Sequence, residues 1–262
     1  MRENLFGSED GDLVLRDDQA EFFIVLDETA RRRNLGARLR LIDSGAFSVV
    51  ELERLGAAGA DLFTSDKAGR TPADLFILNR AAKRGGGRLV YFHHGPLEAK
   101  AGDSAAPSSA LAEAVRDGMA LFLSNRETAR SAADLSVLAE ESRRGGNLLG
   151  YYHHGPLFPG LFELARRGAW IHFAAAPEKE NDDVPVLIAI AAEAATAGGG
   201  MIIHVERPYS ESAFEDLLAA GAAVLFRTPP SDYRSPIRRI EETAARRRLD
   251  PRAYYLYSDF MR

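Results

Sequence analysis

Two rhythms of apolar and polar positions alternate along this chain. Short apolar runs rich in β-branched and aromatic residues read as buried strands, and the stretches between them carry the wider spacing of amphipathic helices. Strands are predicted over residues 39–43, 61–66, 88–94, 120–125, 148–154, 170–175, 201–206 and 223–228. Helices are predicted between them, over 48–58, 72–84, 109–117, 132–144, 159–167, 183–197 and 212–220, with a further helix at 236–248. Two terminal runs add to the set. Residues 22–26, Phe-Phe-Ile-Val-Leu, read as a buried strand ending at Asp27, and residues 254–258 as a last one.

This order predicts an α/β chain whose fold is a (β/α) TIM-like barrel. The barrel proper is placed at 38–248, within a single domain spanning 21–262 that carries extra terminal strands. Residues 1–20 are expected to form a flexible N-terminal arm with a short strand at 13–15. Helix starts agree with the parsing: Thr71-Pro72 with Asp74, Ser131 with Asp134, and Ser235-Pro236. The glycines at 85–87, 145–146 and 198–200 follow helices and precede strands. A phosphate-cradling loop needs the reverse order, so they are read as helix C-caps. Residues 98–109, rich in Ala, Gly and Ser, are a loop and a candidate lid.

A longer repeat overlies the strand and helix rhythm. Tyr91-Phe92-His93-His94-Gly95-Pro96-Leu97 recurs as Tyr151-Tyr152-His153-His154-Gly155-Pro156-Leu157, so the barrel is built from βαβα internal repeats. In this alignment Asp43 matches His93 and His153, while Glu206 matches His94 and His154. Strand side chains alternate faces, so only one histidine of each pair can point inward. His94, His154 and Glu206 are then expected in one ring at the strand ends, with His204 on the same face as Glu206.

Candidate chemistry follows from these positions. Asp43, Asp66, Glu206 and Lys67 are the candidate catalytic residues, as acid–base groups or, for the lysine, an amine. Arg227, Arg70 and Asn125 are candidates for holding substrate. His94, His154 and His204 are candidate ligands of a divalent metal ion (Zn, Mn or Mg), with His93 and His153 as alternates. The competing reading is a copied turn motif in which one imidazole of each pair bonds a neighbouring loop. His172 aligns with the apolar Phe63, Phe122 and Leu225 and is read as structural. Arg70 and Arg130 each stand four residues before Asp74 or Asp134, which suggests a repeated local salt bridge.

Composition narrows the function classes. With 262 residues and 46% hydrophobic content the chain can bury a full core. Its net charge of -5 argues against nucleic acid as a partner, and the expected partner is a small anionic substrate. Zero cysteines exclude thiolate chemistry and disulfides. No signal-like start and no run of membrane-spanning length are seen, so no membrane partner and a cytoplasmic location are expected.

Residues 61–97, with Thr64-Ser65-Asp66-Lys67-Ala68-Gly69-Arg70 before a helix and His93-His94-Gly95-Pro96-Leu97 after the next strand, resemble PHP-type barrels. The likeness spans residues 38–145 and is greatest to the non-catalytic branch that includes a barrel-type protein subunit of ribonuclease P. That branch implies association with RNA. The catalytic PHP metal motifs, His-x-His after the first strand and Asp-x-His at 125–127, are absent. Two functions are therefore carried forward. One is a barrel enzyme acting on a small anionic molecule, a metal-assisted hydrolase or a lyase or isomerase. The other is a non-catalytic PHP-like barrel that binds a partner.

Overall fold

The computed structural model describes residues 13–97, 107–174, 183–205 and 210–226. Among the described residues nine strands alternate with eight α-helices, and the sheet order follows the chain from β1 to β9. Every strand pairing described is parallel. Parallel neighbours joined by crossover helices make this an α/β, TIM-like fold. The chain divides into two compact units. One holds the described residues through Leu123 with Glu140–Asn147, and the other holds Ser124–Ala139 and the described residues from Leu148 on.

The first unit begins with β1 (Leu13–Arg16), which pairs with β2 (Leu39–Ile42), so the chain is held in the sheet from Leu13 onward. Asp17, buried just after β1, ties down the next turn by accepting from Ser44, Ala46 and Phe47 backbone amides and from the Ser44 hydroxyl. Residues 22–26 are not a strand. They open α1 (Phe22–Asn34), which buries Phe22, Val25 and Thr29 at helical spacing and leaves Phe23 and Ile24 exposed. A five-residue apolar run carries no period of its own, and the residues C-terminal to it decide its conformation. Here the run continues into a stretch that buries Thr29 in step with Phe22 and Val25, and Glu28 adds weak pairs with Arg31 and Arg32 at i+3 and i+4.

The next helices start and stop where their caps dictate. In α2 (Val49–Ala58) and α3 (Pro72–Gly85), Ser48 with Glu51 and Thr71 with Asp74 form reciprocal capping boxes. Left-handed Gly59 and Gly86 end them. Strand β3 (Asp61–Ser65) is buried throughout, and β4 (Leu89–His93) and β5 (Ala120–Ser124) continue the ladder on either side of α4 (Pro107–Arg116). Gly85 meets α2 closely: a Cβ there would lie 2.1 Å from the Gly56 carbonyl oxygen.

In the second unit, β6 (Gly150–His154), β7 (Trp170–Ala174), β8 (Gly200–Val205) and β9 (Ala222–Phe226) form a parallel ladder. The helices α6 (Gly160–Arg166), α7 (Val184–Thr196) and α8 (Glu211–Ala219) join them, and α5 (Ala132–Arg144) precedes β6. Leu161, Leu164, Leu187, Ile190, Ile171 and Ile203 are fully buried and form its core. Gly198, and Gly146 of the first unit, have positive φ, as expected of helix ends. Residues 227–262, with the expected helix at 236–248 and strand at 254–258, and the loop residues 98–106 lie outside the described residues. Among the described residues no helix is long and apolar enough to cross a membrane.

Candidate functional site

The first tandem histidine pair closes β4. His93 follows Tyr91 on the face that meets α3 and α4, and His94 lies on the opposite face and is buried. The Tyr91 hydroxyl lies 3.2 Å from His93 Nδ1, and His93 Nε2 lies 3.1 Å from the Pro96 carbonyl oxygen. Asp66, at the end of β3, accepts the backbone amides of His94 and Gly95 at 2.8 and 2.6 Å through Oδ2 and lies 3.5 Å from His93 Nδ1. Its Oδ1 is buried without a hydrogen-bond partner. Burial, with the Asp66 charge adding, pushes the Tyr91 phenol above its ordinary pKa, so the hydroxyl stays protonated.

The second pair repeats this construction in the second unit. Tyr151 Oη lies 3.4 Å from His153 Nδ1, and His153 Nε2 lies 2.8 Å from the Pro156 carbonyl. Asn125 stands where Asp66 stands in the first copy. Its Oδ1 accepts the His154 amide at 2.7 Å, and its Nδ2 donates to the His154 carbonyl at 2.9 Å and faces His153 Nδ1 at 3.2 Å. An Nδ2–H donor at Nδ1 makes that nitrogen an acceptor, so His153 carries its proton on Nε2 and donates it to Pro156. Burial lowers the His153 pKa, in keeping with a neutral ring. His93 and His153 are thus built into their own turns.

The other face of β6, β7 and β8 carries a different set. Parallel register places Tyr152 opposite His172, and His154 opposite Ala174, which in turn faces His204. His172 and His204 therefore lie on a diagonal, and His172 Nδ1 is 3.1 Å from His204 Nε2. The Tyr152 ring touches all three imidazoles, with centroids 4.5 Å from His154, 4.6 Å from His204 and 5.8 Å from His172. His172, His204 and Tyr152 are buried. Desolvation lowers the His172 pKa to about 4, so at neutral pH the ring is an uncharged donor and acceptor. Within an N–H···N contact one ring donates and the other accepts, and a proton can pass between them.

His172, expected to be structural because its alignment column is apolar, lies in contact with the candidate His204. The available signal was the pairing of a mid-strand histidine in β7 with one two steps further along β8. Parallel register brings such positions together on one face.

Asp43 and Arg70, among the remaining candidates, are brought together. Asp43 is buried and bound by Arg70 through two hydrogen bonds of 2.8 and 2.6 Å, by the Thr64 hydroxyl at 2.6 Å and by the Gly45 amide. Arg70 also donates to the Phe47 carbonyl. The expected Arg70–Asp74 salt bridge is replaced by this pair, because Asp74 is committed to capping Thr71. In the second unit the Ser131 hydroxyl likewise accepts the Asp134 amide and donates to the Asp134 carboxylate, and Arg130 donates to the Ser124 carbonyl. Lys67 is exposed in a single 3-10 turn after β3. Glu206 and Arg227 lie outside the described residues. Among the described residues no group of three or more histidines and carboxylates is arranged to hold a metal ion.

No family model matches the chain, and no curated protein does. The PHP likeness therefore rests on the residues quoted for it. Among solved structures the chain is similar to the tetrameric deoxyribose phosphate aldolase from Aeropyrum pernix, with 14% identity over 88% of each chain and a TM-score of 0.33. No residue role is carried over from that protein.

Proposed function

We propose that the chain is a barrel enzyme acting on a small anionic molecule, with proton transfer through His172 and His204. The observation that carries this reading is their buried 3.1 Å contact beneath Tyr152 and beside His154. Buried polar side chains cost free energy that an apolar core avoids, and TIM-like folds keep their chemistry at strand C-termini. His154 and His204 stand at or next to the ends of β6 and β8. A neutral imidazole can take a proton from carbon or oxygen, and its neighbour can return it, which suits a lyase or isomerase. Arg227, the residue after β9, is the candidate for the anionic group.

A metal-assisted hydrolase is the variant in which His154, His204 and Glu206 hold a divalent ion (Zn, Mn or Mg) that polarises a substrate oxygen or water. Both variants are tested by screening the chain against small phosphorylated and carboxylated compounds, with and without chelator, beside folded His172→Gln and His204→Gln variants. Turnover lost in both variants supports the reading. Turnover that survives both overturns it, and sensitivity to chelator selects the metal form.

One observation favours the second reading, a non-catalytic PHP-like barrel serving as a binding or RNA-associated subunit. The tandem histidines His93 and His153 are used by their own turns. Salt-sensitive RNA binding by a chain with no turnover would support it.

A further inference from the structure

A small cavity of about 70 Å³ lies in the first unit, between β4 and the helices α3 and α4. Its polar wall is Arg70, Tyr91 and His93, and its apolar wall includes Pro72, Leu75 and Leu111. The Nε and Nη2 groups of Arg70 are committed to Asp43 and Phe47, and Nη1 is not.

The internal repeat shows what such a cavity accommodates. In the second unit the corresponding residues are Ala132 for Pro72, Tyr151 for Tyr91 and His153 for His93. There the Phe158 ring packs on His153, with centroids 5.2 Å apart and planes at 41°. A Cβ built on Gly160 would lie 2.2 Å from that ring and 2.9 Å from the Ala132 Cβ, so the phenyl group sits at the start of α5, beside the histidine. The residue in line with Phe158 in the first copy is Glu98, which has no ring to supply.

We infer that the first-unit cavity is a binding site for the aryl group of a small molecule, seated on His93 as Phe158 is seated on His153. Tyr91 and Arg70 stand at its polar wall to meet a hydroxyl or other acceptor on the ring. Because Asp43 already neutralises Arg70, and Asp66 adds negative charge beside His93, an uncharged aryl ligand fits better than an aryl carboxylate. This site lies on the helix-facing side of its own unit and involves none of the residues of the proton-transfer pair.

Phenol is the probe, added to the full chain and followed by calorimetry and by NMR shifts of the Leu75 and Leu111 methyl groups. The expected result is saturable binding of one phenol per chain, weaker binding of benzoate, and loss of phenol binding in Ala110→Phe, which fills the cavity from α4. In Phe158→Ala the second copy opens and the stoichiometry rises to two. Absence of saturable binding, or binding that Ala110→Phe leaves unchanged, overturns the inference whether or not Phe158→Ala folds.

Discussion

His172 and His204 share one hydrogen bond, Nδ1 to Nε2 at 3.1 Å, inside the second unit. Burial makes charging His172 costly, and this sets how stability depends on pH. The folded pKa of His172 is about 4, below its ordinary 6.5, because burial disfavours the cation. The stability it contributes is therefore complete above about pH 6.5 and is lost as pH falls toward 4. The shift corresponds to on the order of 3 kcal/mol at most. Urea denaturation at pH 7 and pH 5 should show a clear drop at the lower pH, reduced in His172→Phe. An equal midpoint at both values would mean the ring is solvated.

The Asp43–Arg70 pair should behave as a structural unit. The Asp43 side chain is buried and that of Arg70 nearly so, and Arg70 also binds the Phe47 carbonyl. Arg70→Ala leaves a buried carboxylate unpaired and is expected to cost about 3 to 5 kcal/mol by chemical denaturation. Arg70→Lys should recover only part, because a single ammonium cannot reproduce the two-point contact. A near-neutral Arg70→Ala would contradict this role.

At Asp66 the repeat supplies its own control. Asn125 uses its amide nitrogen to bond the His154 carbonyl, whereas Asp66 Oδ1 is buried with no partner. Asp66→Asn should therefore be neutral or stabilising by up to about 1 kcal/mol. Asp66→Ala should cost about 1 to 3 kcal/mol by leaving the His94 and Gly95 amides unmet. Thermal melts at pH 7 decide it, and a large loss in Asp66→Asn would show that the carboxylate charge itself is needed.

Much of the fold is legible in the sequence because its punctuation is local. Thr71 with Asp74 and Ser131 with Asp134 mark helix starts, and glycines mark helix ends. Residues 22–26 form a helix and not the expected strand, because their short apolar run has no period and Thr29, which completes the buried helical face, lies outside it. The site is less legible. Asp43 is visible as a strand-end carboxylate, yet its Arg70 partner comes from beyond the following strand, a contact that only tertiary structure creates. His172 is hidden for a related reason: its significance depends on the register between β7 and β8. The copied motif draws attention to His93 and His153, which the turns themselves use.

Close packing of α2 on α3 gives a further expectation. A methyl group on Gly85 would meet the Gly56 carbonyl oxygen at 2.1 Å, and backbone atoms cannot move aside without shifting a helix. Gly85→Ala should cost about 1 to 3 kcal/mol despite the better helix propensity of alanine. Gly86→Ala, where nothing lies nearby but φ is positive, should cost about 1 kcal/mol. Equilibrium denaturation of the two variants would rank them, and the reverse order would contradict the packing argument.

Proton transfer between His172 and His204 requires one ring to donate and the other to accept across their contact. The most direct measurement is the ring ¹⁵N chemical shifts of His172 and His204, followed by NMR from pH 8 to pH 5. The structure predicts that His172 stays neutral down to about pH 5, with one protonated and one bare nitrogen facing each other across the pair. Titration of His172 near its ordinary value of 6.5, or rings with no shared hydrogen bond, would contradict it.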